Sequence, residues 1–185
     1  MSKKLDFFKT FVKDKDVASI VPTSMRCVKK VCTNIDFSRD LTIVEYGPGN
    51  GVFSKYILEH MTPESKLILI EANKDFVTQL REQIHDPRVE IHNILAGDVE
   101  DVLNPEVIGN VDYVLSGIPF SFLKKDRKMA VLNATKAILK PGGIFLAYQT
   151  SGHLKKPVQE VFGNLETDFE PLNIPPYLIY KVVKN

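Results

Sequence analysis

Leu41-Thr42-Ile43-Val44-Glu45-Tyr46 runs straight into Gly47-Pro48-Gly49-Asn50-Gly51, and Val52–His60 follows as a helical stretch. The first six residues have the length and apolar content of a buried strand. The glycines let the backbone turn sharply and approach a ligand closely. A helix opening directly after them presents free N–H groups and a positive dipole end to a carboxylate or phosphate. Taken alone, a glycine-rich turn between strand and helix is common, so its meaning depends on its surroundings.

Downstream the alternation repeats. Lys66–Ile70 is a second buried-type run, with a helical stretch over Lys74–Ile84. Val89–Ile94 and Val111–Leu115 are further strand candidates, and residues 125–139 are helical, with Met129, Leu132 and Leu139 on one side. Pro141-Gly142-Gly143 is expected to stop that helix before a fifth strand, Ile144–Tyr148. Strands alternating with helices imply a parallel sheet covered on both faces. The last segment differs: a helical stretch around 155–162 precedes Thr167–Asn173 and Tyr177–Val183, joined through Pro175-Pro176. Those two read as an antiparallel pair at the sheet edge.

Upstream, residues 1–36 read as a basic amphipathic helical extension and 37–185 as the main domain. Leu5, Phe7, Phe8, Phe11 and Val12 share one side of a first helix, with Lys9 and Lys13 opposite. Pro22 interrupts, Thr23 or Ser24 can cap a second helix, and Met25, Val28, Cys32 and Ile35 form its apolar stripe. Residues 1–30 carry eight Lys/Arg against three Asp, so with an overall charge of +1 the remainder is net −4. Such a segment either faces an anionic partner or presents a solvated helical face. Its aromatic side either docks on the protein's own core or lies in a bilayer interface.

Composition closes off other classes. At 185 residues, 44% apolar and 25% charged, the chain fits one domain, burying about 70% of the surface its unfolded form exposes. No apolar run approaches the roughly 18 residues of a membrane span, and the start is not a secretory signal. Cys27 and Cys32 have neither zinc nor redox spacing, which implies reduced thiols, a cytoplasmic setting and no metal site.

Two acidic positions give the glycine turn its meaning. Glu71 ends the second strand, 20 residues after Gly51, where a carboxylate accepts hydrogen bonds from ribose hydroxyls. Gly97-Asp98-Val99 follows the third strand, where Asp98 can reach an adenine amino group. In an open sheet these strand ends converge on one crevice. Nicotinamide sites prefer G-x-G-x-x-G, whereas the spacing here is G-x-G-x-G.

That pattern, with Glu45 two residues before the first glycine, resembles the first motif of class I S-adenosylmethionine-dependent methyltransferases. Glu71, Asp98 and Pro141-Gly142-Gly143 resemble their later motifs. The resemblance implies an α/β, Rossmann-like, seven-stranded, mostly parallel sheet with a C-terminal antiparallel pair and helices on both faces. It implies S-adenosylmethionine as cofactor and S-adenosylhomocysteine as product, held by Glu45, Gly47, Gly49, Asn50, Gly51, Glu71, Asn73, Gly97, Asp98, Val99 and Ser116.

Ser116-Gly117-Ile118-Pro119-Phe120-Ser121 falls in the fourth-strand loop, where an acceptor meets the cofactor. With Val21–Ser24, Glu45–Phe53 and Asn173-Ile174-Pro175-Pro176, it resembles the bacterial phospholipid N-methyltransferase group. That resemblance implies methylation of a phosphatidylethanolamine-type head group by a cytoplasmic enzyme peripheral on the inner membrane face, with Ser116, Pro119 and Phe120 in the acceptor loop. The same loop resembles the Asn-(Leu/Ile)-Pro-(Tyr/Phe) motif of ribosomal RNA adenine dimethylases. Gly117 stands at the Asn position, and no added C-terminal domain is evident, so both departures weigh against RNA.

Lys124, Lys125, Arg127 and Lys128 crowd the start of the following helix, where each exposed cation costs about 0.3–1 kcal/mol. They are either a solvated run or contacts to a lipid phosphate or RNA backbone. Tyr148 and His153, beyond the fifth strand, could help deprotonate an amine, though neither is singled out as a base. An RNA adenine N6-methyltransferase, a small-molecule or protein methyltransferase, and a non-catalytic binding protein remain as alternatives. No obligate protein partner is evident.

Overall fold

The computed structural model describes residues 23–185. The proposed first helix, around Leu5–Val12, lies outside the described residues. Among the described residues the α-helices and β-strands are α1 (Met25–Cys32), β1 (Thr42–Tyr46), α2 (Val52–His60), β2 (Lys66–Ile70), α3 (Lys74–Gln83), β3 (Val89–His92), β4 (Val111–Ser116), α4 (Lys125–Ile138), β5 (Leu139–Gln149), α5 (Lys155–Phe162), β6 (Glu166–Glu170) and β7 (Tyr177–Val183).

They build a seven-stranded sheet in the order β3-β2-β1-β4-β5-β7-β6. The first five are parallel, while β7 runs antiparallel to both β5 and β6. This is the doubly wound, mostly parallel fold with a reversed terminal pair that the sequence predicts. Parallel strands covered on both faces must be apolar throughout, and β1, β2 and β4 are buried along nearly their whole length. Alternate residues feed two cores. Val44 and Tyr46 of β1 join α4 and α5 through Leu132, Ile138, Val158 and Phe162. Ile43 joins α1, α2 and α3 through Val28, Ile57 and Leu80 on the other face.

The edge strand β6 exposes Glu166, Thr167 and Asp168 while Glu170 is buried, and Lys30 of α1 reaches Asp168 at 3.1 Å and the Phe169 carbonyl at 2.6 Å. A charged edge of this kind discourages pairing with another chain. In α1 the Ser24 hydroxyl accepts from the Cys27 N–H at 3.3 Å, as a capping residue should. The buried stripe differs from expectation. Cys27, Val28, Val31 and Cys32 face the core, whereas Met25 is half exposed and Ile35 lies beyond the helix. Both thiols are free, and burial pushes Cys27 up to about 11.

Pro141-Gly142-Gly143 also behaves differently from a helix stop. The chain is already extended at Leu139, and β5 passes through the three residues. Val111 pairs with Leu139 and Tyr113 with Ile144, so Lys140–Gly143 bulges from the strand. The proline cannot donate to a ladder, and Gly142 takes φ +75°, which suits a bulge.

Candidate active site

The glycine turn forms at the carboxyl end of β1. Gly47, Gly49 and Gly51 all have positive φ, +67°, +56° and +77°. Gly51 heads α2, and a Cβ on it would come within 2.9 Å of Leu80 Cδ2. A Cβ on Gly47 would meet Ile118 Cγ1 at 3.3 Å, because the loop after β4 lies directly against it. The exposed Asn50 sits at the tip of the turn.

Two buried carboxylates brace the turn. Glu45 accepts from Ser54 Oγ of α2 at 2.6 Å and is almost fully buried. Burial pushes its pKa up to about 7 against the opposing Ser54 hydrogen bond. It therefore anchors the turn to its helix from below. Glu71 Oε2 accepts from the Gly49 N–H at 3.1 Å and Oε1 from the Asn73 N–H at 2.8 Å. Burial raises its pKa although these N–H groups pull it down. A carboxylate has about four acceptor positions, so acceptor capacity remains for a ligand.

Glu71 opens onto a cavity of about 450 Å³, within the range of small-molecule sites. Gly47, Ile70 and Ala72 complete its wall on the strand side, and Ile94, Leu95, Ala96 and Gly97 form an apolar side. Ile118 and Leu123 come from the loop after β4, while Lys124, Asp126, Arg127, Ala130 and Val131 come from α4 and its approach. A Cβ on Gly97 would lie 3.5 Å from the Ala130 Cβ, an ordinary packing distance, so α4 packs directly over this side of the cavity.

Not every expected residue reaches this wall. Val99 is fully buried in the core, and Asp98 lies in the short 3-10 turn Ala96–Asp101. Asn73 caps α3, its Oδ1 accepting from the Asp75 N–H at 2.9 Å. Ser116 is buried and accepts from the Ile118 N–H at 3.3 Å. Phe120 was expected in the acceptor loop; its ring is completely buried in the core instead, and neither it nor Pro119 belongs to the cavity wall. Lys124 and Arg127 belong to the wall, whereas Lys125 is exposed outside it. His153 is exposed in the turn before α5.

Gln149 has no counterpart in the sequence reading. Buried at the end of β5, it accepts from the Phe120 N–H at 3.0 Å and donates to the Ile118 carbonyl at 2.8 Å. It thus fixes the loop that carries Gly117. Its position at the end of a buried strand, where a polar side chain needs partners, was the available signal.

A family model described as a methyltransferase domain matches residues 43–143, from β1 to the bulge in β5. The chain belongs to the methyltransferase domain family. Ornithine lipid N-methyltransferase of Singulisphaera acidiphila is 28% identical over 179 residues, covering 92% of this chain and 92% of that one. Ribosomal RNA small subunit methyltransferase A of Maridesulfovibrio salexigens is 32% identical over 88 residues, covering 46% of this chain and 33% of that one. Among solved structures, the 1,6-didemethyltoxoflavin-N1-methyltransferase of Burkholderia thailandensis, with S-adenosylhomocysteine bound, superposes with a TM-score of 0.68 at 16% identity, covering 97% of this chain and 86% of that one.

This methyltransferase uses S-adenosylmethionine. Its own residues fit that cofactor: a glycine turn at a helix start, a carboxylate with spare acceptor positions, and an apolar wall for a flat base. Among the described residues no helix is long and apolar enough to cross a membrane, and no cluster of metal-ligating side chains occurs.

Proposed function

We propose that this enzyme N-methylates the primary amine of a lipid head group. The observation that carries the reading is the similarity to an ornithine lipid N-methyltransferase along 92% of both chains. Ornithine and ethanolamine head groups share a primary alkylammonium, and phosphatidylethanolamine is the second acceptor of that class. The departure from the RNA adenine pattern at Gly117 points the same way, and the similarity to the ribosomal RNA enzyme extends over less than half of this chain.

Bound S-adenosylmethionine supplies an activated sulfonium methyl group. The protein's task is then orientation and exclusion of water. Gly47–Gly51 would offer backbone N–H groups to the methionine end, Glu71 would accept from the ribose, and Ile94–Gly97 would border the adenine. Ile118 and the loop after β4 border the acceptor side. The incoming ammonium would first lose a proton to water, exposing its lone pair. The methyl–nitrogen bond forms as the methyl–sulfur bond breaks, and the nitrogen then releases a second proton to water. The basic N-terminal segment and Lys125 serve an anionic membrane surface, giving a peripheral enzyme at the cytoplasmic face.

The test is transfer of a radiolabelled methyl group to phosphatidylethanolamine vesicles, ornithine lipid vesicles, ribosomal RNA or no acceptor. Label in the lipid phase is expected. Label in RNA, or in no lipid, overturns the reading.

A further inference from the structure

Gly117 sits at the seam between the two loops of the site. Its N–H donates to the Tyr46 carbonyl at 2.9 Å, and a Cβ on it would stand 3.1 Å from the Gly47 carbonyl oxygen. That Cβ would also overlap the Tyr148 hydroxyl and lie 3.0 Å from the ring carbon that bears it. The space a side chain at 117 would need is therefore occupied by a phenol from β5.

The phenol is held firmly. Its ring stacks on Phe53 of α2, with centroids 4.6 Å apart and planes 20° apart, and meets the Tyr177 edge at 5.3 Å and 72°. Stacked and edge-on pairs of this kind each contribute beyond their buried area. Yet the Tyr148 hydroxyl has no hydrogen-bond partner among the described residues, and the residue is only partly covered. Tyr113 and Tyr180 differ: one accepts from the Asp36 N–H at 3.2 Å, the other donates to the Ser151 carbonyl at 3.3 Å. This phenol lies outside the cavity wall itself but beside Gly117, which adjoins Gly47 of that wall, so a rigid hydroxyl without a partner borders the edge of the site.

We infer that the Tyr148 hydroxyl is the hydrogen-bond acceptor that positions the incoming amine, in the place that a side chain at position 117 would otherwise fill. The inference rests on the amine-directed reading above. Burial and the neighbouring Glu45 carboxylate raise the Tyr148 pKa well above its ordinary value, so it stays a neutral phenol and is no base. Its oxygen accepts one amine N–H and leaves the nitrogen lone pair free for the methyl. As the carbon–nitrogen bond forms and sulfur recovers the electron pair of the broken bond, the nitrogen gains positive charge. The hydrogen bond to Tyr148 strengthens at that point, because charge-assisted hydrogen bonds are about twice as strong as neutral ones. An interaction that grows toward the transition state acts on kcat more than on KM.

Tyr148→Phe keeps both ring contacts and removes only the oxygen. The experiment measures methyl transfer to phosphatidylethanolamine and ornithine lipid vesicles for wild type and variant between pH 6 and 9. Calorimetric S-adenosylhomocysteine affinity and its effect on Tm confirm that the variant is folded. The expected result is a loss of about tenfold or more in kcat, with KM and cofactor affinity within twofold and an unchanged pH profile. Wild-type kcat in the folded variant overturns the inference, as does loss of a limb of the pH profile, which would make Tyr148 a proton carrier. A wild type that methylates no lipid amine fails at the earlier step and overturns the amine-directed reading itself.

Discussion

Replacing Gln149 with leucine removes a clamp while keeping similar bulk. The wild-type side chain, 4% exposed, accepts from the Phe120 N–H at 3.0 Å. Its Nε2 donates to the carbonyls of Ile118 and Tyr148, at 2.8 and 2.7 Å. In Gln149→Leu the Phe120 N–H and the Ile118 carbonyl lose their partners next to an apolar group. Each such orphan costs about 1–3 kcal/mol when it stays buried, which sets a loss of about 2–6 kcal/mol if the loop holds its place. If the loop instead moves out to find water, stability falls less and the acceptor KM rises. Urea unfolding gives the first quantity and steady-state methyl transfer the second. Gln149→Glu separates the two donor and acceptor roles. Its carboxyl still accepts from Phe120, but when ionised it faces two carbonyl oxygens. Burial and those oxygens raise its pKa in the folded state, so stability is lost as pH rises and recovers when the acid is protonated and donates to Ile118. A Gln149→Leu protein within 0.5 kcal/mol of wild type, with unchanged KM, would refute the clamp.

The remaining predictions concern charge and close packing. Glu45 has its folded pKa raised from 4.5 to about 7. The folded state thus holds its proton more tightly than the unfolded one, and stability falls as pH rises through that window, by at most about 3 kcal/mol. Glu45→Gln should therefore gain on wild type in urea midpoints between pH 4.5 and 8, and a constant difference refutes the burial argument. Glu71→Ala should weaken S-adenosylhomocysteine binding by about tenfold or more in calorimetry, since it removes a charged acceptor and releases Gly49; unchanged affinity removes Glu71 from the cofactor site. In Gly143→Ala the new Cβ would lie 2.9 Å from both the Lys140 and Val111 carbonyl oxygens, so a Tm drop matching about 1–3 kcal/mol is expected. Lys125→Glu lies outside the cavity wall and should lower co-sedimentation with anionic vesicles while leaving cofactor affinity unchanged; undiminished binding removes Lys125 from the membrane face.

The parallel sheet was legible because Leu41–Tyr46, Lys66–Ile70 and Val111–Leu115 must be apolar on both faces, a constraint written directly in residue type. The bulge was not. Pro141-Gly142-Gly143 ends a helix as readily as it bends a strand, and only the pairing of Tyr113 with Ile144 distinguishes the two. The donor half of the site declares itself through three glycines whose positive φ few other residues adopt, and through Glu71 at a strand end. The α4 wall gave no such sign. Arg127 read as part of a basic run that is solvated or meets a phosphate, Ala130 as an ordinary helix residue, and their place over the cavity follows from Gly97 approaching Ala130, a contact between distant segments.

The acceptor half is hidden for a different reason: its defining feature is a missing side chain. Ser116-Gly117-Ile118-Pro119-Phe120 draws attention to Phe120, the largest group in the loop, yet that ring is buried as a peg and contributes no surface to the cavity. Gly117 is informative only when Tyr148, 31 positions later, is seen to fill the space beside it. The two positions are therefore coupled sterically. An amide at 117 requires the phenol at 148 to leave, and the Phe53 and Tyr177 rings hold that phenol in place. Converting this loop to the Asn-containing form thus takes changes at both positions. Gly117→Asn alone should lose stability without acquiring a planar amide in the site, whereas pairing it with Tyr148→Ala should recover part of that loss.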